Sequence, residues 1–190
     1  MPPAEEEADK YVYDPNDPVP SLGGNNLAID MVVQDQRPVE ERNDVLVYTS
    51  DPLEQPLEIT GPVSVLLWAS SSAVDTDFTA KLVDVHPNGY AQNLIDGMIR
   101  ARYRESASTP RLMEPGKPYR FTIDLWATSN VFLPGHRIRL EISSSNFPHF
   151  DPNLNTGEPF GEGRKVISAQ QTVFHQDDMA SHILLPVIPR

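Results

Sequence analysis

Apolar and polar residues alternate with a period of two over much of the chain, which is the signature of strands with one buried face. Asp77-Phe78-Thr79-Ala80-Lys81-Leu82 places Phe78, Ala80 and Leu82 on one side. Tyr119, Phe121, Ile123 and Leu125 alternate with Arg120, Thr122 and Asp124, and Ile138, Leu140 and Ile142 with Arg137, Arg139 and Glu141. Ile183, Leu185 and Val187 repeat the pattern near the end. Val45-Leu46-Val47 is a short apolar run, and Leu57-Glu58-Ile59-Thr60 breaks at Gly61-Pro62 and resumes over 63–69. Pro87-Asn88-Gly89 predicts a turn, because proline fixes φ and Asn-Gly tolerates positive φ. A return strand is expected over 91–104, bulged at Gly97. No stretch longer than two turns carries the helical period. Eight or so half-buried strands predict an all-β fold, a β-sandwich of jelly-roll type.

At 190 residues the chain is long enough for a single domain with a sizeable core. Residues 11–190 are expected to form it. Residues 1–10 read as a linker or disordered tail: Met1-Pro-Pro-Ala-Glu-Glu-Glu is acidic where a signal peptide is basic and then apolar. That start reads as a linker entered by an added initiator methionine. Residues 11–26 carry Asp14-Pro15, Asp17-Pro18, Val19-Pro20 and Gly23-Gly24, an extended, turn-rich stretch without strand periodicity.

The net charge of −12 changes the range of partners. An acidic surface repels phosphate backbones and anionic lipid, so neither nucleic acid nor membrane is an expected partner. The absence of cysteine excludes disulfides, thiolate catalysis and zinc–thiolate sites.

Candidate chemistry is sparse. There is no G-x-S-x-G elbow, and Ser70-Ser71-Ser72 and Ser143-Ser144-Ser145 read as polar strand ends. The five histidines, at 86, 136, 149, 175 and 182, show no ligand spacing and read as lone surface residues. Asp75, Asp77 and Asp84 read as exposed strand-end charges rather than an acid–base pair. Asp151, Asn153 and Asn155, with Glu162 beyond them, superficially resemble a calcium loop of hard oxygen ligands. Gly157 falls one place late for that motif, and a loop held by its own Asn and Asp side chains is the alternative. Trp68 and Trp126 read as core residues rather than a sugar-stacking platform. No cofactor is expected.

Several segments, taken in order, carry a family resemblance. They are Arg42-Asn-Asp-Val45-Leu-Val-Tyr48-Thr-Ser50-Asp51-Pro52-Leu53; Ile59-Thr60-Gly61-Pro62-Val63; Asp75-Thr76-Asp77-Phe78-Thr79-Ala80-Lys81-Leu82-Val83-Asp84-Val85; Leu94 to Arg104; and Phe132 to Gly157 with its Ser143-Ser-Ser-Asn146-Phe147-Pro148-His149-Phe150-Asp151-Pro152-Asn153 run. Across residues 11–190 the chain resembles the C-terminal β-domain of the X-Pro dipeptidyl-peptidase and cocaine-esterase-like (CocE/NonD) serine hydrolases. The resemblance implies a galactose-binding-like jelly roll that follows an α/β-hydrolase domain and its helical cap, in enzymes that cleave esters or amides. The triad of such enzymes lies in the hydrolase domain, so no residue here is expected to be catalytic and the chain alone is expected to be inactive.

The partner implied is the α/β-hydrolase catalytic domain of the same polypeptide, with a homo-oligomer left open. The contact is expected at Gln36 and Arg37 and at Asn146, Phe147, His149, Phe150, Asp151, Asn153 and Asn155, bordering the substrate pocket. Phe147, Phe150, Leu154 and Phe160 are expected to form an apolar patch exposed when that partner is absent. The competing readings are a stand-alone carbohydrate-binding module, which requires exposed aromatics, and an assembly domain.

Overall fold

The structure, a computed structural model, describes residues 6–24, 32–159, 161–163 and 165–189. Among these it contains nine strands: β1 (Asp9–Tyr13), β2 (Leu46–Thr49), β3 (Leu57–Ser71), β4 (Asp77–Val85), β5 (Ala91–Arg100), β6 (Tyr119–Phe132), β7 (Arg137–Ser143), β8 (Ala169–Phe174) and β9 (His182–Leu184). One helical turn, α1 (Arg37–Glu40), carries proline in its first turn. The strands form two antiparallel sheets, one in the order β1-β8-β3-β6 with β9 also on β3, the other in the order β2-β7-β4-β5. The fold is therefore an all-β sandwich.

The period-two pattern explains its interior. Ile59, Val63, Val65 and Leu67 of β3 and Phe121, Ile123 and Leu125 of β6 face Phe78, Ala80 and Leu82 of β4 and Ile142 of β7, and all are essentially removed from solvent. Phe78 and Phe121 meet across the sheets with ring centroids 4.8 Å apart. Each such side chain contributes about 1.5–3 kcal/mol of transfer free energy.

Three local expectations need correction. Tyr11 and Tyr13, placed in an irregular stretch, belong to β1 and are buried, and strand pairing starts already at Asp9. Gly61-Pro62 does not divide the strand, since β3 runs through it. The bulge in β5 is at Leu94, where the register with β4 shifts between Leu82 and Val83. Gly97 serves a different need: a Cβ there would lie 2.0 Å from the Asp124 carbonyl oxygen, so the close approach of β5 to β6 requires glycine.

The outer face of the second sheet is covered by the chain itself. Val19 N–H donates to Ser145 Oγ, Ser21 N–H to the Phe147 carbonyl and Phe147 N–H to the Val19 carbonyl. Val19, Leu22, Val39 and Val45 form a small apolar cluster there. As a result Thr79 and Lys81, whose alternation predicted an exposed face, are buried like the rest of β4; Asp84, expected as an exposed strand-end charge, is buried on the inner face with Phe78, Ala80 and Leu82.

Candidate functional site

The start of β4 carries Asp75-Thr76-Asp77. Antiparallel pairing sets Asp77 directly opposite Arg100 at the end of β5. Arg100 Nε and Nη2 donate to the two Asp77 carboxylate oxygens, each at 2.9 Å. Arg102 donates to Asp75 from its backbone N–H (2.9 Å) and from Nε (2.8 Å). Between the carboxylates sits Asn153, whose Nδ2 donates to Asp75 at 2.9 Å and to Asp77 at 2.8 Å. Asp75 and Asp77 are buried, not the exposed charges expected from sequence. Removal from water pushes the Asp77 carboxyl above its ordinary range, and the two bonds from Arg100 oppose that shift.

This cluster clamps the loop that follows Asn146. Asn153 Oδ1 accepts from the Asn155 N–H, Asn155 Nδ2 donates to the Ile167 carbonyl, and Tyr13 OH donates to the Asn153 carbonyl. The Asn153 and Asn155 side chains thus fasten the loop to the sandwich, whereas Asp151 and Glu162 face solvent. A cavity of about 280 Å³ lies against the clamp, lined by Arg100, Arg102, Tyr103, Asn153, Leu154 and Thr156. Beside it, Met98, Arg100, Tyr103, Phe150 and Asp151 enclose a shallower depression of about 300 Å³.

A second polar cluster lies midway along the same sheet. Lys81 Nζ donates to Gln36 Oε1 at 2.6 Å and stands 3.2 Å from Glu141 Oε2. Arg139 pairs with Glu40 at 2.6 Å. Asn146 Nδ2 donates to Asp96 Oδ2 at 3.2 Å, with His149 Nδ1 3.4 Å from the other Asp96 oxygen. Burial raises the Glu141 carboxyl to about 7; Lys81 opposes the rise and Glu40 reinforces it.

The residues expected from sequence therefore separate along β5. Arg37 and the Gln36 backbone lie at its start, where Gln36 N–H donates to the Ala91 carbonyl, while the Gln36 side chain reaches Lys81, opposite Asp96. Asn146 and His149 meet Asp96 in its middle, and Asp151 and Asn153 meet Arg100 at its end. Nine steps of about 3.3 Å span roughly 30 Å, so they form no single centre. Gln36 is wholly buried while Arg37 is exposed and pairs with Asp35. Phe147 is 43% exposed, Phe150 and Leu154 are half-buried, and Phe160 lies outside the described residues.

Other side chains depart from expectation. Ser143 donates to the Asp44 carbonyl, Ser144 bonds Tyr11 OH and Ser145 accepts from Val19, so this serine run is buried and structural. Trp126 is 70% exposed, at a positive φ of 67° where β3 and β6 lose register. His136 is buried against Asp84 and packs against the His86 ring instead of lying alone on the surface. Sequence reasoning missed Arg100 and Arg102; their signal was the spacing that places them opposite Asp77 and Asp75 in a hairpin.

Comparison with known proteins decides the family. Residues 2–184 match the family model of the X-Pro dipeptidyl-peptidase C-terminal non-catalytic domain. The chain belongs to that family. It is 52% identical over 189 residues to the cocaine esterase of a Rhodococcus species, covering 97% of this chain and 33% of that protein. Two solved structures superpose with a TM-score of 0.90. One is an aminopeptidase from a marine sediment archaeon, Thaumarchaeota archaeon, 33% identical over all of this chain and 34% of that one. The other is an α-amino acid ester hydrolase, 34% identical over 99% of this chain and 34% of that one. The domain thus spans about a third of the length of these relatives.

Proposed function

We propose that this domain is the non-catalytic part of a larger ester- or amide-cleaving hydrolase. It packs on the α/β-hydrolase catalytic domain of the same polypeptide and borders its substrate pocket. The observation that carries this reading is the loop after Asn146. Its base is fixed by Asn153 to two buried ion pairs, while Phe147 is exposed and half-buried Phe150 lines the depression beside Met98 and Tyr103. A rigid loop that presents aromatic surface suits a partner bound at a fixed orientation, since little ordering entropy remains to be lost. Gln36 supports the sheet beneath that loop, and Arg37 lies too far along β5 to share the contact.

The test uses the whole polypeptide. Phe147→Asp combined with Phe150→Asp is expected to split a single thermal transition into two and to lower ester hydrolysis. One unchanged transition with unchanged activity overturns docking through this loop. Separately, the 190-residue chain is expected to turn over no p-nitrophenyl ester, and turnover that persists through purification overturns the non-catalytic assignment. Trp126 meets the exposed-aromatic requirement of a carbohydrate module, but it lines none of the cavities above.

A further inference from the structure

We propose that Asp84, His86 and His136 form a binding site for a divalent transition-metal ion of the zinc class, independent of the docking loop. Asp84 and His86 are two residues apart at the end of β4, so their side chains leave the same face. That face is the inner one, which continues Phe78, Ala80 and Leu82 to the rim of the sandwich. β7 enters beside them with Arg137 opposite Val85, and this register carries His136 next to His86.

One donor atom from each of the three residues lies within 4.8 Å of those of the other two. His136 Nδ1 is 2.8 Å from Asp84 Oδ1, and the two imidazoles sit 4.5 Å apart between centroids, inclined by 36°. An ion held at roughly 2.0–2.2 Å from each donor needs only side-chain adjustments to be enclosed. Asp84 and His136 are buried, while His86 is half-buried and leaves an entry from solvent.

The surroundings orient the ligands. Gln92 Oε1 lies 3.2 Å from His86 Nε2, and the Tyr90 ring stands edge-on to His86 at 5.3 Å. Partners of this kind fix the ring and tautomer of a metal-bound histidine. Two imidazoles and one carboxylate suit zinc, cobalt or nickel; calcium and magnesium require shells of oxygen. Three protein donors leave a coordination position for water. If the cluster were only an anchoring Asp84–His136 hydrogen bond, His86 would be dispensable, and that difference is measurable.

Metal-depleted full chain is titrated with Co²⁺, followed by visible absorption, and with Zn²⁺ by calorimetry. One ion per chain is expected, with Zn²⁺ displacing Co²⁺. His86→Gln is expected to weaken binding by at least about tenfold, with His182→Gln, at an exposed histidine, unchanged. Among the five histidines, Zn²⁺ is expected to shift the ring resonances of His86 and His136 selectively in the unaltered chain. This last readout does not depend on any variant folding. Absence of saturable binding, equal affinity in His86→Gln, or uniform shifts of all five rings overturns the site.

Discussion

Asp75 and Asp77, at the start of β4, meet two arginines and an asparagine amide. Lys81, four residues beyond Asp77, meets one glutamate and one glutamine on the covered face of the same strand. Both groups are buried, yet they differ in how completely they are hydrogen-bonded. In the first, all four carboxylate oxygens accept from Arg100, Arg102 or Asn153. In the second, Glu40 and Glu141 each leave Oε1 buried without a hydrogen bond, as do Asp96 Oδ1 and Asn146 Oδ1. A satisfied network opposes desolvation, though burial still pushes the Asp77 carboxyl upward, and it pins the loop after Asn146. An under-satisfied one stores the cost in the charged form, so Glu141 holds a proton to about pH 7.

The largest effect expected from breaking this contrast is in the satisfied cluster. Asp77→Ala removes the bidentate partner of Arg100 and is expected to destabilise by about 3–5 kcal/mol, read from urea unfolding. Asn153→Ala leaves both ion pairs in place but removes the amide between them. It is expected to cost about 1–3 kcal/mol and to increase hydrogen exchange in the loop after Asn146.

The next effect belongs to the under-satisfied cluster and depends on pH. The folded chain keeps on Glu141 a proton that the unfolded chain releases near 4.5, so the native state binds more protons between about 4.5 and about 7. Stability from this group therefore falls as pH rises through that window and is level above it. The slope is at most about 1.4 kcal/mol per pH unit. Glu141→Gln is expected to remove that slope in unfolding curves taken from about pH 5 to about pH 8. A slope unchanged by the substitution assigns the proton elsewhere. The smallest effect is at Arg37, which is exposed with Asp35: Arg37→Ala is expected to leave Tm unmoved, because ion pairs in water contribute little.

Much of the sandwich was legible because its strands obey a local rule. Period-two alternation in β4, β6 and β7 reports one apolar face, and the Asn88-Gly89 turn reports the hairpin between β4 and β5. The second face of β4 was not legible. Residues 14–24 and 33–45 cover it, and coverage by a distant segment leaves no local periodicity. The serine run from 143 was legible as non-catalytic, but its burial was not. Trp126 was misread for a related reason: an apolar residue in an apolar strand reads as core, and only the bulge between β3 and β6 turns it outward.

By itself the sequence determined an all-β class, an acidic cysteine-free surface, the apolar faces of the strands and the family to which the ordered motifs belong. These follow from residue type and short spacing. The tertiary structure alone decided which charges are buried together, how far apart the expected contact residues lie, and that His86 and His136 share one rim. Each depends on strand register and on long-range coverage. Register sets which residues of β4, β5 and β7 stand opposite one another, and it is fixed by pairing summed over whole strands.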